Sequence, residues 1–234
     1  MHVSTDAIVI WHSGWLVLNA TLLFTWVVMM LLGIGSWLIT RNLSQETRLS
    51  RWQNLLEVLV EGLQTQIRDI SGQNPILYLP FIGTLFIFIA VSNCLAIVPG
   101  FHPPTGSLST TAALACVVFF AVPIYGIRQE GLIDYIKHYL EPSPFMLPFH
   151  IIGELSRTLS LAVRLFGNVM SDAMIVGILL SIAPLFFPII MQALGLLTGL
   201  IQAYIFAILA IVYIASASHA QNETTTNKAQ GEEV

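Results

Sequence analysis

Five apolar runs decide what this chain can become. They extend from Trp15 to Ile39, from about Leu79 to Val98, from Ser109 to Ile127, from about Pro148 to Ala183 and from about Phe187 to His219. At about 1.5 Å of rise per helical residue, even the shortest comes close to the ~30 Å hydrocarbon core of a bilayer. In lipid the backbone must satisfy its own hydrogen bonds, so segments of this length read as membrane-crossing helices. Each of the last two has more than thirty residues. At roughly 50 Å they are longer than an upright span needs, and steep tilt is expected.

The rest of the composition agrees. Of 234 residues, 56% are hydrophobic and 9% charged, against about 25% charged in a soluble domain. The fold class is therefore an all-α integral membrane protein: about five crossings, one surface amphipathic helix, and two long tilted helices at the end. Residues 1–220 form a single integral domain, and the polar stretch 221–234 is expected to be a disordered cytoplasmic tail. The first run lacks a basic leader and a small-residue cleavage site, so it reads as a retained span. The net charge of −4 arises from a few acids near the ends. The partner this composition implies is the lipid bilayer, and no nucleic-acid partner is expected.

Between the first two spans the period changes. Leu49, Trp52, Leu56, Leu59, Leu63, Ile67 and Ile70 recur every three or four positions, with Arg48, Arg51, Asn54, Glu57, Glu61 and Arg68 between them. That is an amphipathic helix within 41–69, suited to lying on the membrane surface or to docking on another helix. Pro75 and Pro80 introduce the second crossing, and Pro99-Gly100 ends it. The polar connection holding Asp134, Lys137, His138 and Glu141 belongs in water. Trp11, Trp15 and Trp37 bracket the first span as interfacial aromatics do. With five crossings, Arg41, Arg48, Arg51, Arg68, Arg128, Lys137 and Lys228 fall on one side. The positive-inside rule then places the N-terminus outside and the C-terminus in the cytoplasm, or in the matrix or stroma of an organelle.

One apolar run carries charge. Within 153–172 stand Glu154, Arg157, Arg164, Asn168 and Asp172, although a charge at the centre of a span costs roughly 2.5–3.5 kcal/mol even on the lenient insertion scale. At about 100° per residue, Glu154, Arg157, Leu161, Arg164 and Asn168 fall on one stripe. Arg164 cannot lose its proton under ordinary conditions. It needs an anionic partner, water, or both. Glu154 and Asp172 are the candidates within the chain, but Arg157 competes for Glu154, which leaves one cation for a carboxylate on another chain. An internal salt bridge or snorkelling to the interface is the plainer account, and it suits Arg157 better than Arg164. Asn168, and Gln202 in the last run, can relay protons or hold water through hydrogen bonds, or can simply tie helices together. His150 and His219 sit near helix ends as interfacial groups, and Cys94 and Cys116 read as unpaired packing residues.

The chain contains no Cys/His ligand set, phosphate-cradling loop or nucleophile–base pair. No cofactor or metal is expected, and no catalytic site. A fixed cation among sparse relay groups suits ion translocation. At Arg164-Leu-Phe-Gly-Asn168, with Gly199-Leu-Ile-Gln-Ala-Tyr-Ile-Phe206 and Ile211-Val-Tyr in the last run, the chain resembles subunit a of the membrane sector of F-type ATP synthases. The resemblance is strongest over 150–219.

It implies a non-catalytic stator subunit of a rotary ATP synthase, in a bacterial inner membrane, between peripheral-stalk b subunits and a ring of c subunits. Arg164 would be the essential arginine facing the ring carboxylates. Arg157 matches a basic position, Asn168 the asparagine of the motif, and Gln202 the glutamine opposite the arginine. Two half-channels would carry H⁺, or alternatively Na⁺, with Asp172 and Glu154 beside the route. The chain departs from the pattern twice. Many members carry a glutamate nine residues after the arginine, where this chain has Ala173, so Asp172 would supply the acid from about 100° around the helix. Some carry a histidine seven residues before the glutamine, where this chain has Gly195. A self-contained secondary transporter would call for paired interrupted spans, which are absent here, and a passive anchor would leave Arg164 and Asp172 unexplained.

Overall fold

The computed structural model describes residues 9–13, 16–41, 51–72, 74–98, 100–131, 147–182 and 187–231. A short antiparallel hairpin, β1 (Val9–Ser13) with β2 (Leu16–Asn19), precedes six helices: α1 (Ala20–Thr40), α2 (Arg51–Ser71), α3 (Pro75–Leu95), α4 (Leu108–Glu130), α5 (Leu147–Ile182) and α6 (Phe187–Gly231). Five of them, all but α2, are long and apolar enough to cross a membrane. The class read from sequence stands, and α5 and α6 are the longest helices at 36 and 45 residues.

Several boundaries differ from expectation. The first span begins at Ala20, not Trp15, because the residues before it pair as extended strands in which Val9, Ile10 and Val17 favour a pleated backbone. Pro75 and Pro80 lie inside α3. Pro75 occupies the first turn, where its missing N–H costs nothing, and Asn74 accepts from the Ile76 N–H at 3.2 Å. The helix α6 continues to Gly231, so residues 221–231 of the expected tail are helical. Between Gly199 and Gly231 the sequence has neither glycine nor proline to stop it. The polar connection with Asp134, Lys137 and His138 lies outside the described residues.

The amphipathic helix docks on its own bundle. Leu63 and Ile67 are buried where α2 meets α3 and α6, and the Tyr204 hydroxyl on α6 donates to Gln66 Oε1 at 2.9 Å. Leu55 and Val58 remain exposed near the start of α2. Cys94 and Cys116 are free thiols as expected, but both are exposed instead of packed inside. A bundle built for lipid gains little by turning small apolar groups inward.

Helix α6 is the hub, touching α2, α3, α4 and α5. Its buried face is made of small residues, Ala203, Ala207, Ala210 and Ala215, set around Phe206 and Ile214. Without a hydrophobic drive between helices in lipid, close approach along such a face supplies the van der Waals contact. The tightest point is Gly199. A Cβ there would sit 3.0 Å from Asn93 Cβ on α3, while Asn93 Nδ2 donates to the Gly199 carbonyl at 2.9 Å and Thr105 Oγ1 donates to Asn93 Oδ1 at 2.8 Å. Gly199→Ala is therefore expected to push α3 from α6 and cost about 1–3 kcal/mol by overpacking. A lowered thermal midpoint of the purified assembly would show it, and an unchanged midpoint would mean the contact yields freely.

Candidate functional site

Helix α5 has two unlike sides. Only 11% of its membrane-length window is buried, against 44% for α3, so most of α5 lies at the rim of the bundle. Leu161 and Leu165 point into the core at 1% and 0% exposure. Arg164 and Asn168 are exposed, and so are Ser160 and Ser171, each one or two turns from them. Leu161, expected on the polar stripe, is thus turned inward, and the stripe runs along the border between covered and open surface. A period of 3.6 spreads a spacing of three and four across more than one line, so neighbours on the stripe diverge where packing is one-sided.

Arg164 stands beside the middle of the apolar stretch of α5, where a charge in a spanning helix is least welcome. The apolar span is 148–182, whose middle residue is 165. Among the described residues Arg164 has no ion-pair partner. Asp172 lies two turns further, about 12 Å along the axis, which is too far for contact. Of the two intrachain candidates named from sequence, neither neutralises it. Arg157 is handled differently: its guanidinium lies 5.8 Å from the centre of the Tyr213 ring on α6, a cation–π contact. Together with Glu154, Thr158 and Val118 these two line a small pocket among α4, α5 and α6.

One turn on from Arg164, Asn168 Nδ2 donates to Gln202 Oε1 at 2.7 Å, tying α5 to α6. Gln202 is 2% exposed, and its Nε2 has no hydrogen-bond partner among the described residues. Leaving a buried amide donor without a partner costs about 1–3 kcal/mol, so this amide group is the least satisfied polar group on the α5–α6 seam among the described residues.

A second polar contact joins the same helices. Thr198 Oγ1 lies 2.9 Å from Asp172 Oδ2. A Cβ on Gly195 would stand 3.5 Å from that same carboxylate oxygen. Asp172 on α5 therefore packs directly against α6 at Gly195, where even a Cβ would make an ordinary van der Waals contact with it. Sequence reasoning named Asp172 and Gly195 separately and missed Thr198, since a threonine among apolar residues gives no periodic signal. It also missed Asn93 and Thr105, whose pairing joins residues twelve apart across a turn.

Comparison with known proteins gives one consistent result. The family model for the ATP synthase A chain matches residues 22–215. The chain is 64% identical over 218 residues to an ATP synthase subunit a 2 of Acaryochloris marina, covering 93% of both chains. It is 58% identical over 226 residues to an ATP synthase subunit a 1 of Chlorobaculum parvum, covering 97% of this chain and 100% of that one. It is 59% identical over 218 residues to an ATP synthase subunit a of Albidiferax ferrireducens, covering 93% of this chain and 94% of that one.

Proposed function

Since the chain belongs to the ATP synthase A chain family, a multi-pass membrane subunit of that enzyme, we propose that its open α5 face is where a ring of c subunits passes, with Arg164 as the fixed charge. One observation carries this reading: a permanent cation at mid-span, exposed on the outside of its own bundle and without an ion pair among the described residues. A charge left so in lipid would be costly. A moving carboxylate on a neighbouring chain removes the cost.

The mechanism follows from electrostatics. A ring carboxylate opposite Arg164 is held ionised, because a nearby opposite charge favours the charged form. It releases its proton into one half-channel before reaching Arg164 and reloads from the other after passing. The membrane potential supplies about 2.3 kcal/mol per charge per 100 mV and so biases the direction. Arg164 also repels a proton that would cross directly between the channels, which ties transport to rotation. Asn168 and Gln202 hold the α5–α6 seam beside the arginine. Asp172 serves the outer half-channel, and Glu154 with Arg157 the cytoplasmic one. The N-terminus is outside, the C-terminus is in the cytoplasm of a bacterial inner membrane, and peripheral-stalk b subunits hold the chain against the turning ring.

Cysteine cross-linking tests the assigned face. In a background with Cys94 and Cys116 replaced by alanine, Ser160→Cys and Ser171→Cys are expected to cross-link to cysteines placed beside the ring carboxylate. Ala162→Cys, which is buried and about 200° around the helix from Arg164, is not. Cross-links from position 162 alone would turn the helix the other way and remove the reading.

A further inference from the structure

We infer that Thr198 is a positioning residue for Asp172: its hydroxyl completes the carboxyl group's hydrogen bonding in both protonation states, so that a proton can arrive and leave without stranding a polar group between α5 and α6. This rests on the reading that Asp172 belongs to the ion route.

The geometry is a hydroxyl between two acceptors. Thr198 Oγ1 is 2.9 Å from Asp172 Oδ2 and 3.1 Å from the carbonyl of Gly195, three residues back on its own helix. Threonines inside helices usually bond back to a carbonyl of the preceding turn, as Thr25, Thr65 and Thr158 do here. Thr198 has a second choice, and it owns one proton. Facing an ionised carboxylate, which can only accept, it donates to Asp172 Oδ2. When Asp172 takes up a proton from water, the new O–H donates to Thr198 Oγ1, and the threonine proton turns to the Gly195 carbonyl. On release the proton returns to water and the hydroxyl swings back. Thr198 keeps its own proton throughout, so the step needs rotation about one C–O bond and nothing else.

The surroundings leave this task to Thr198. The charged groups of α5 are Glu154, Arg157, Arg164 and Asp172 itself, with His150 near its start. Helix α3 carries no charged residue, nor does α6 between Phe187 and Ser216. Those of α4, Arg128 and Glu130, stand at the end far from the 3-10 turn Pro104–Gly106, which packs beside α5 and whose nearest titratable neighbour is His102. Gly195 supplies the approach. The Asp172 carboxyl lies close against α6 there, with a Cβ at 195 falling in ordinary contact at 3.5–3.6 Å from three Asp172 atoms, so a side chain larger than alanine would crowd it.

The test uses the assembled ATP synthase in vesicles, with ATP-driven proton pumping followed by a pH-sensitive dye. Thr198→Val, which keeps the shape and loses the hydroxyl, is expected to slow pumping about tenfold, the scale of one hydrogen bond to a charged group. Thr198→Ser, which keeps the hydroxyl, should pump as the parent does. In an Asp172→Asn background Thr198→Val should cause no further loss, because the group it serves no longer titrates. Wild-type pumping by Thr198→Val, or the same tenfold loss in the Asp172→Asn background, would overturn the inference. If neither Thr198→Val nor Thr198→Ala assembles while Asp172→Asn does, the hydroxyl is a folding element and the inference fails. A normal Asp172→Asn enzyme would instead remove the reading on which it stands.

Discussion

Replacing Arg164 by alanine is expected to abolish ATP-coupled pumping while leaving the subunit in the membrane. The guanidinium is exposed and holds no ion pair among the described residues, so its removal breaks no ion pair there. Nearby core packing rests on Leu161 and Leu165, which are untouched. On the proposed reading, what disappears is the charge that would make a passing carboxylate ionise at one angle of the ring and not at others. Without it the acid keeps its proton past the stator and the potential has no preferred step to act on. The barrier against direct leakage goes too. Vesicles with Arg164→Ala should show no dye response to ATP and a raised passive proton permeability, with subunit content as in the parent. Pumping at the parental rate would exclude Arg164 from the route.

The spans and the fixed cation were legible because each rests on one strong rule. Apolar length fixes a crossing, and a mid-span arginine has few bland explanations. The junctions were less legible. The hairpin at Val9–Asn19 replaced the first turns of the expected first helix, since an apolar run alone does not distinguish a strand from a helix. Leu161 left the polar stripe because spacing gives the face of a lone helix, and burial depends on which neighbours cover it. Docking of α2 through Ile67 and Gln66 could be stated from sequence only as one of two uses for an amphipathic face.

Contacts between distant residues were the least visible. Nothing local distinguishes Thr198 from the other threonines, and its meaning comes from Asp172 twenty-six positions earlier. Gly199 looks like a small residue in an apolar helix until Asn93 is found 3.0 Å from where its Cβ would be. The sequence does offer a trace of the Asp172 site. If the proposed outer half-channel needs an acid, a chain with Ala173 and Gly195 must draw it from elsewhere, and the aspartate one residue away is the nearest candidate.

That aspartate is the second group whose loss should be large. Asp172→Asn keeps the size of the side chain and can still accept the Thr198 hydrogen bond, so the α5–α6 seam should survive. The amide cannot take up and release a proton, and general acid–base help of this kind is worth about 10²–10⁴ in rate. Access to the ring is one step among several, so pumping is expected to fall by at least about tenfold, toward that range as the access step becomes limiting. The pH dependence should change as well. Any limb that follows the titration of this carboxyl in the parent should vanish from the profile, leaving a flatter curve at a lower rate. Pumping recorded across pH in vesicles, with ATP hydrolysis measured alongside, separates the outcomes. A low rate with a flat profile places Asp172 on the proton path, while a low rate with the parental profile makes it a structural acid. A parental rate and profile would mean that protons reach the ring past other groups, and that the aspartate beside Gly195 does not carry them.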